Sequence, residues 1–145
     1  MDIQKKFFKY IEEKDVENVK RLFKELKTNP SFDCNLALRM ASKKGSLEIV
    51  KLLINDESIN PTDMRSCSIR FSAEYGHLEI VKLLIKDNRV NPDDCCNYAI
   101  RFAYKNKHFQ IVHILWNDKR VKNSLENDDK KLYNKLILQD NIENF

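Results

Sequence analysis

Two glycines and three prolines are the only strong chain breakers among 145 residues, which leaves little room for the glycine-rich loops that cradle phosphates. No run approaches the roughly 18 consecutive apolar residues of a membrane-spanning helix. Residues 1–10 alternate charges with aromatics, unlike a signal peptide. The expectation is an intracellular, cytoplasmic protein without a membrane partner, a nuclear location not being excluded. H-E-x-x-H pairs and kinase or hydrolase motifs are absent as well. Twenty-six basic against 22 acidic side chains leave a net charge of only +4. Neutralising a phosphate backbone usually takes far denser basic charge, so nucleic acid has no support as a partner beyond a local stripe.

The composition that remains, 42% apolar, 33% charged and 10% aromatic, is that of a chain that folds and stays in solution. Its length suits one compact domain or a short run of stacked repeats. The five breakers decide between these. Pro30, Pro61 and Pro92 stand 31 residues apart, each behind an asparagine, and Gly45 and Gly76 are separated by the same 31. Residues 47–54 recur unchanged at 78–85 and in altered form at 109–116. Residues 16–23 fit as a degraded copy, with Asn18 and Arg21 in apolar slots, as an exposed terminal repeat should be.

Each copy is preceded by a second helical word, at 36–41, 67–72 and 98–103, so a unit is two short helices. In the second helix Leu78, Val81, Leu84 and Ile85 draw one apolar stripe, which Ile80 and Leu83 widen. Truncating Leu83 to alanine is expected to cost roughly 2–5 kcal/mol. Met40, Phe71 and Phe102 share a slot on the first helix and are assigned to the core. Gly76 ends the first helix with positive φ, and Asn91-Pro92 ends the excursion after the second. Helices of about ten residues are marginal alone, so they must be stabilised by stacking. The fold class is all-α, an α-solenoid. After Val121 the register breaks, and Leu125, Leu132, Tyr133, Leu136 and Ile137 fit a capping helix from about Asp128 to Gln139.

The run from Glu74 to Ile85, with Gly76-His77 at its turn and Ala73 before it, resembles the ankyrin repeat. The resemblance covers about residues 33–122 well and 2–32 weakly. It implies an ankyrin-like solenoid with terminal caps: an amino-terminal capping pair at 2–32, repeats at 33–63, 64–94 and 95–122, and a carboxyl-terminal capping helix at 123–145. Two departures stand out. The unit is two residues shorter than that family's usual 33, through a shortened connection at 55–62 and its equivalents, so smaller fingers are expected. The family's Thr-Pro-Leu-His word is missing, and Asn35, Ser66 and Asn97 are expected to cap the first helices in its place. The third unit drifts further, with Lys107 where glycine belongs.

Cys95 and Cys96 with His108 and His113 resemble half a zinc finger, but adjacent cysteines lack the gap that brings two thiolates onto one metal. Cys34, Cys67, Cys95 and Cys96 are read as reduced, buried or half-buried thiols. A linear repeat array also spreads equivalent residues along a row instead of converging them on a cleft. No catalytic, cofactor or metal site is expected, and the protein is read as a non-enzyme.

The ladder Arg39, Arg70 and Arg101 carries two readings. It grips carboxylates or phosphates of a partner, or each arginine pairs with an acidic residue of a neighbouring connection such as Asp33, Asp63 or Asp94. Positions that vary between units are better contact candidates: Lys43, Glu74 and Lys105, then Lys44, Tyr75 and Asn106. The resemblance adds Met64, Arg65, Asp94 and Tyr104, since ankyrin-like repeats present this helix and the connection tips to partners. The reading is a protein-interaction module working through the concave first-helix surface, a monomer closed by two caps. Its alternatives are nucleic-acid or anionic-ligand binding along the arginine ladder, with steep salt dependence, and a scaffold without a strong partner.

Overall fold

The computed structural model describes residues 2–28 and 32–143, with side chains as far as residue 139. Asn29 and Pro30, the first member of the proline series, lie outside the described residues. Ten helices and no strand occur among the described residues: α1 (Ile3–Glu12), α2 (Val16–Leu26), α3 (Cys34–Lys44), α4 (Leu47–Ile54), α5 (Asp63–Glu74), α6 (Leu78–Ile85), α7 (Asp94–Lys105), α8 (Phe109–Trp116), α9 (Lys119–Asp128) and α10 (Lys130–Glu143). They pack in consecutive pairs, and each pair stacks on the next. The all-α solenoid expected from the period is thus the observed architecture.

One continuous apolar core runs from Phe7 and Phe23 through Leu53, Ile69, Leu84 and Ile100 to Leu115, Leu125 and Leu136. Second-helix residues supply it at Ile80, Val81 and Leu84, whereas Leu83 is only half-buried. The large truncation cost expected at Leu83 therefore belongs to Leu84, because a cavity forms only where the surroundings are fully packed. First helices contribute through small residues, Ala37 and Ala41, Ser72 and Ala73, Ala99 and Ala103, all buried, which let neighbouring helices approach closely.

The glycine turns are interlocked from one unit to the next. Gly45 (φ 74°) and Gly76 (φ 80°) take the left-handed conformation. A Cβ on Gly45 would stand 2.4 Å from the His77 ring, and one on Gly76 would stand 2.7 Å from His108. Each ring also meets a carbonyl at the end of the preceding first helix, His77 Nε2 at 2.8 Å from Lys43 O and His108 Nε2 at 3.0 Å from Glu74 O. Lys14 (φ 58°) and Lys107 (φ 63°) occupy the same slot at the two ends. Ser46, not a histidine, follows in the unit above Lys14, and the residue 31 beyond His108 is half-buried Gln139, so at neither end does a histidine ring exclude the side chain.

The connections fold as turns, with Ile59 and Val90 buried as anchors, and Val121 in the matching slot is buried within α9. A second interlock repeats in them. Arg89 donates to Ile54 O at 3.0 Å and Ile59 O at 3.2 Å while Asp87 holds it at 2.6 Å. Arg120 does the same one unit later, to Ile85 O at 3.3 Å and Val90 O at 2.9 Å, held by Asp118 at 2.7 Å. Each guanidinium thus caps the carboxyl end of the preceding second helix, where carbonyls lack partners.

Two expectations need correction. The carboxyl-terminal cap is a pair of helices, not one: α9 begins at Lys119, so the division placed at 122/123 falls inside it, and the helix expected near Asp128 is α10. The prolines at 61 and 92 have no counterpart at 123, where Asn123 lets the helix run through what is elsewhere a turn. Asn35, Ser66 and Asn97 do not cap their own helices. Asp33 caps α3, accepting from Leu36 N at 2.8 Å. Asn35 instead accepts from Asn60 N at 2.7 Å, Ser66 donates to Asp94 at 2.6 Å, and Asn97 donates to Ser124 at 2.8 Å. Ser66 and Asn97 make their reaches from the left-handed turns formed by residues 64–66 and 95–97, ahead of the right-handed parts of α5 and α7.

Candidate functional site

The first helices α3, α5 and α7 pack against one another more extensively than the second helices α4, α6 and α8 do. Three consecutive helices present matching slots along the first-helix side. Slot 40/71/102 was assigned to the core, yet all three residues are half-buried. Met40 packs on the core edge, while Phe71 and Phe102 stand two residues, about 200° around the helix, from the buried Ile69 and Ile100. Their rings are instead the floor of the surface.

Cations lie over those rings. Lys43 Nζ stands 5.9 Å from the Phe71 ring centre and 5.5 Å from that of Tyr75. The Arg70 guanidinium lies 4.4 Å over Tyr98, and Lys105 Nζ 5.4 Å over Phe102. Tyr98 and Phe102 stack at 3.9 Å, as residues four apart on one helix face can. Burial, reinforced by the hydrogen bond to Glu74, pushes the Tyr98 phenol up to about 12, so it stays protonated and donates to the Glu74 carboxylate at 2.8 Å. Attraction between cation and ring face holds the charges of Lys43, Arg70 and Lys105 over these rings.

The arginine ladder is not uniform. Arg39 pairs with Asp63 and, at 3.3 Å, with Asp33. Arg101 lies 3.5 Å from Asp129. Arg70 pairs with no carboxylate among the described residues. It donates to Met64 O at 3.3 Å and Arg65 O at 3.4 Å, and its Nε is buried without a partner. Asp94 stands to Arg70 as Asp63 stands to Arg39, but it is occupied by Ser66. A continuous row of unpaired guanidinium groups is therefore absent among the described residues.

The other expected contacts are dispersed. Tyr75 is 48% exposed beside Lys43, and Met64 is 62% exposed in the left-handed turn, next to exposed Arg65. Lys44 reaches back to Glu12 at 3.7 Å. Asn106 donates to Glu74 O at 2.8 Å, and Tyr104 packs on the core with its ring edge towards Phe109. Sequence reading missed Phe71, Tyr98 and Phe102 as surface groups. The four-residue step from Tyr98 to Phe102 was the available signal. It also missed a groove of about 470 Å³ between α6 and α8, walled by Leu78, Phe109 and Ile114.

The cysteines follow the fold. Cys34 and Cys67 are buried and Cys95 half-buried, but Cys96 is exposed, against expectation, because the left-handed turn swings it outward. Among the described residues no three His, Cys, Asp or Glu side chains gather where they could hold a metal ion, and no helix is long and apolar enough to cross a membrane.

Residues 8–94 match the family described as ankyrin repeats, in three copies. The match takes in most of the first helix pair, where the resemblance read from the sequence is weak. It stops before α7 and α8, although these repeat the packing of α5 and α6. Lys107 in the glycine slot and Trp116 in place of isoleucine dilute the pattern there without changing the geometry. Comparison with curated proteins gives no match.

Proposed function

Because this chain belongs to the ankyrin repeat family, whose repeats generally serve as protein–protein interaction modules, we propose that it binds a partner protein through the first-helix surface of α3, α5 and α7. The carrying observation is the floor of rings beneath the cations of Lys43, Arg70 and Lys105, with Tyr75 half-exposed at its edge. Aromatic and arginine side chains dominate the energy at protein interfaces, and tyrosine buries a large area at small cost in entropy. Recognition here is shape and charge complementarity, with no covalent step. The exposed Met64 and Arg65 at the connection tip extend the surface towards the partner.

The experiment is capture of partners from lysate on the immobilised protein, at low and moderate salt, beside a Tyr75→Ala variant. Tyr75 contributes no core packing, so its removal should leave the thermal melt within about 0.5 kcal/mol of the parent. It should weaken a specific partner by about 2 kcal/mol or more. A partner retained in full by Tyr75→Ala would sink the assignment of this surface.

A further inference from the structure

We propose that the partner segment is acidic, and that Arg70 is the residue that reads its carboxylate; this rests on the interaction-module reading above. Arg39, Arg70 and Arg101 share one slot, and two of the three hold a carboxylate of this chain. Arg70 is released by a difference in the slot of Asn35 and Ser66. Asn35 spends its side-chain oxygen on Asn60 N and leaves Asp63 to Arg39. The Ser66 hydroxyl takes Asp94 at 2.6 Å, 24 residues beyond Arg70 just as Asp63 is 24 beyond Arg39. The middle guanidinium, braced on the Tyr98 ring and on two carbonyls, therefore keeps its charge for a group from outside.

Lys43 and Lys105 flank it from the neighbouring units. Both are exposed, both sit over rings, and neither pairs with a carboxylate among the described residues. The single carboxylate between them in their slot, Glu74, is engaged by the Tyr98 hydroxyl. Three cations spread over three helices fit an extended chain carrying several carboxylates, with charge-assisted hydrogen bonds at Arg70. A nucleic acid fits worse. Base stacking needs free ring faces, and those of Phe71, Tyr98 and Phe102 are covered by Lys43, Arg70 and Lys105.

The test is fluorescence anisotropy of the full chain with three labelled probes: a peptide alternating glutamate and tyrosine, its glutamine counterpart, and oligodeoxythymidine. The glutamate peptide should bind, more weakly as salt rises, and more tightly than the other two. Arg70→Gln should reduce its affinity about tenfold or more. Ser66→Ala should also weaken it, since it frees Asp94 to take Arg70. Lys43→Gln and Lys105→Gln alter only exposed groups and serve if Arg70→Gln disturbs folding; together they should lower affinity several-fold.

Equal binding of the glutamine peptide, tighter binding of the oligonucleotide, or indifference to these variants in folded protein would overturn the proposal. Absence of peptide binding, with lysate capture still abolished by Tyr75→Ala, would remove the acidic partner and leave the interaction module standing. Capture indifferent to Tyr75→Ala would remove both.

Discussion

A single slot shows how closely residue identity is tied to its neighbour in the next unit. Lys14, Gly45, Gly76 and Lys107 all take positive φ, yet only the two glycines lie beneath a histidine ring. Gly76→Ala adds left-handed strain and drives a Cβ into His108, so it should destabilise by about 1–3 kcal/mol. Lys107→Gly, where no ring intrudes, should stabilise by up to about 1 kcal/mol through relief of the same strain. Urea unfolding of both variants checks this, and two shifts of the same sign would refute the account. The turn glycine and its histidine were legible from the period alone. That lysine would adopt the same conformation at the ends was not, because it depends on which ring is missing above it.

At the scale of the element, the connections carry more structure than their sequence advertises. Asp56 is held down to about 2, chiefly by the hydrogen bond from Lys27 and then by Ser58. Asp87 and Asp118 are lowered by the hydrogen bonds from Arg89 and Arg120. A carboxyl group whose pKa is depressed in the folded state stabilises the fold above its unfolded value of about 4 and loses that contribution as pH falls through the folded value. The melting temperature should therefore drop on acidification from about pH 4 to about pH 2. Asp56→Asn should lie below the parent at neutral pH and converge with it near the bottom of that window. A gap that stays constant with pH would show that the carboxylate charge is irrelevant.

The second helices obey a simpler rule. Leu84 is fully buried and Leu83 half-buried. Leu84→Ala should cost about 2–5 kcal/mol, and Leu83→Ala markedly less; equivalent losses in thermal melts would contradict the packing described. Periodicity drew the stripe correctly but could not say which of two adjacent leucines faces the next unit, since that depends on how the pairs are rotated against each other.

For the whole molecule, the array is quasi-linear, and each pair is stabilised by the one beside it. The chain's one tryptophan, Trp116, is buried against Tyr133 of α10 at 5.5 Å and covered by Lys122 at 4.6 Å, so it reports on docking of the carboxyl-terminal pair. Leu136→Ala removes a buried contact of that pair. The expected result is a tryptophan fluorescence transition at lower denaturant than the far-UV circular dichroism transition, as the end of the array opens first. Coincident transitions would mean that the cap and the repeats unfold as one unit.

What the sequence by itself determined is everything that repeats: the 31-residue unit, its two helices, the glycine turn, the all-α solenoid and the family. Periodic burial and chain-breaking residues act locally, and a local rule survives translation along the chain. What only the tertiary structure decided is everything that depends on the neighbouring unit's particular side chain. Phe71 and Phe102 left the core for the surface, and Ser66 took Asp94 away from Arg70. Those outcomes depend on contacts between residues about 24 or more positions apart, where competition among partners, not the preference of any one residue, sets the result.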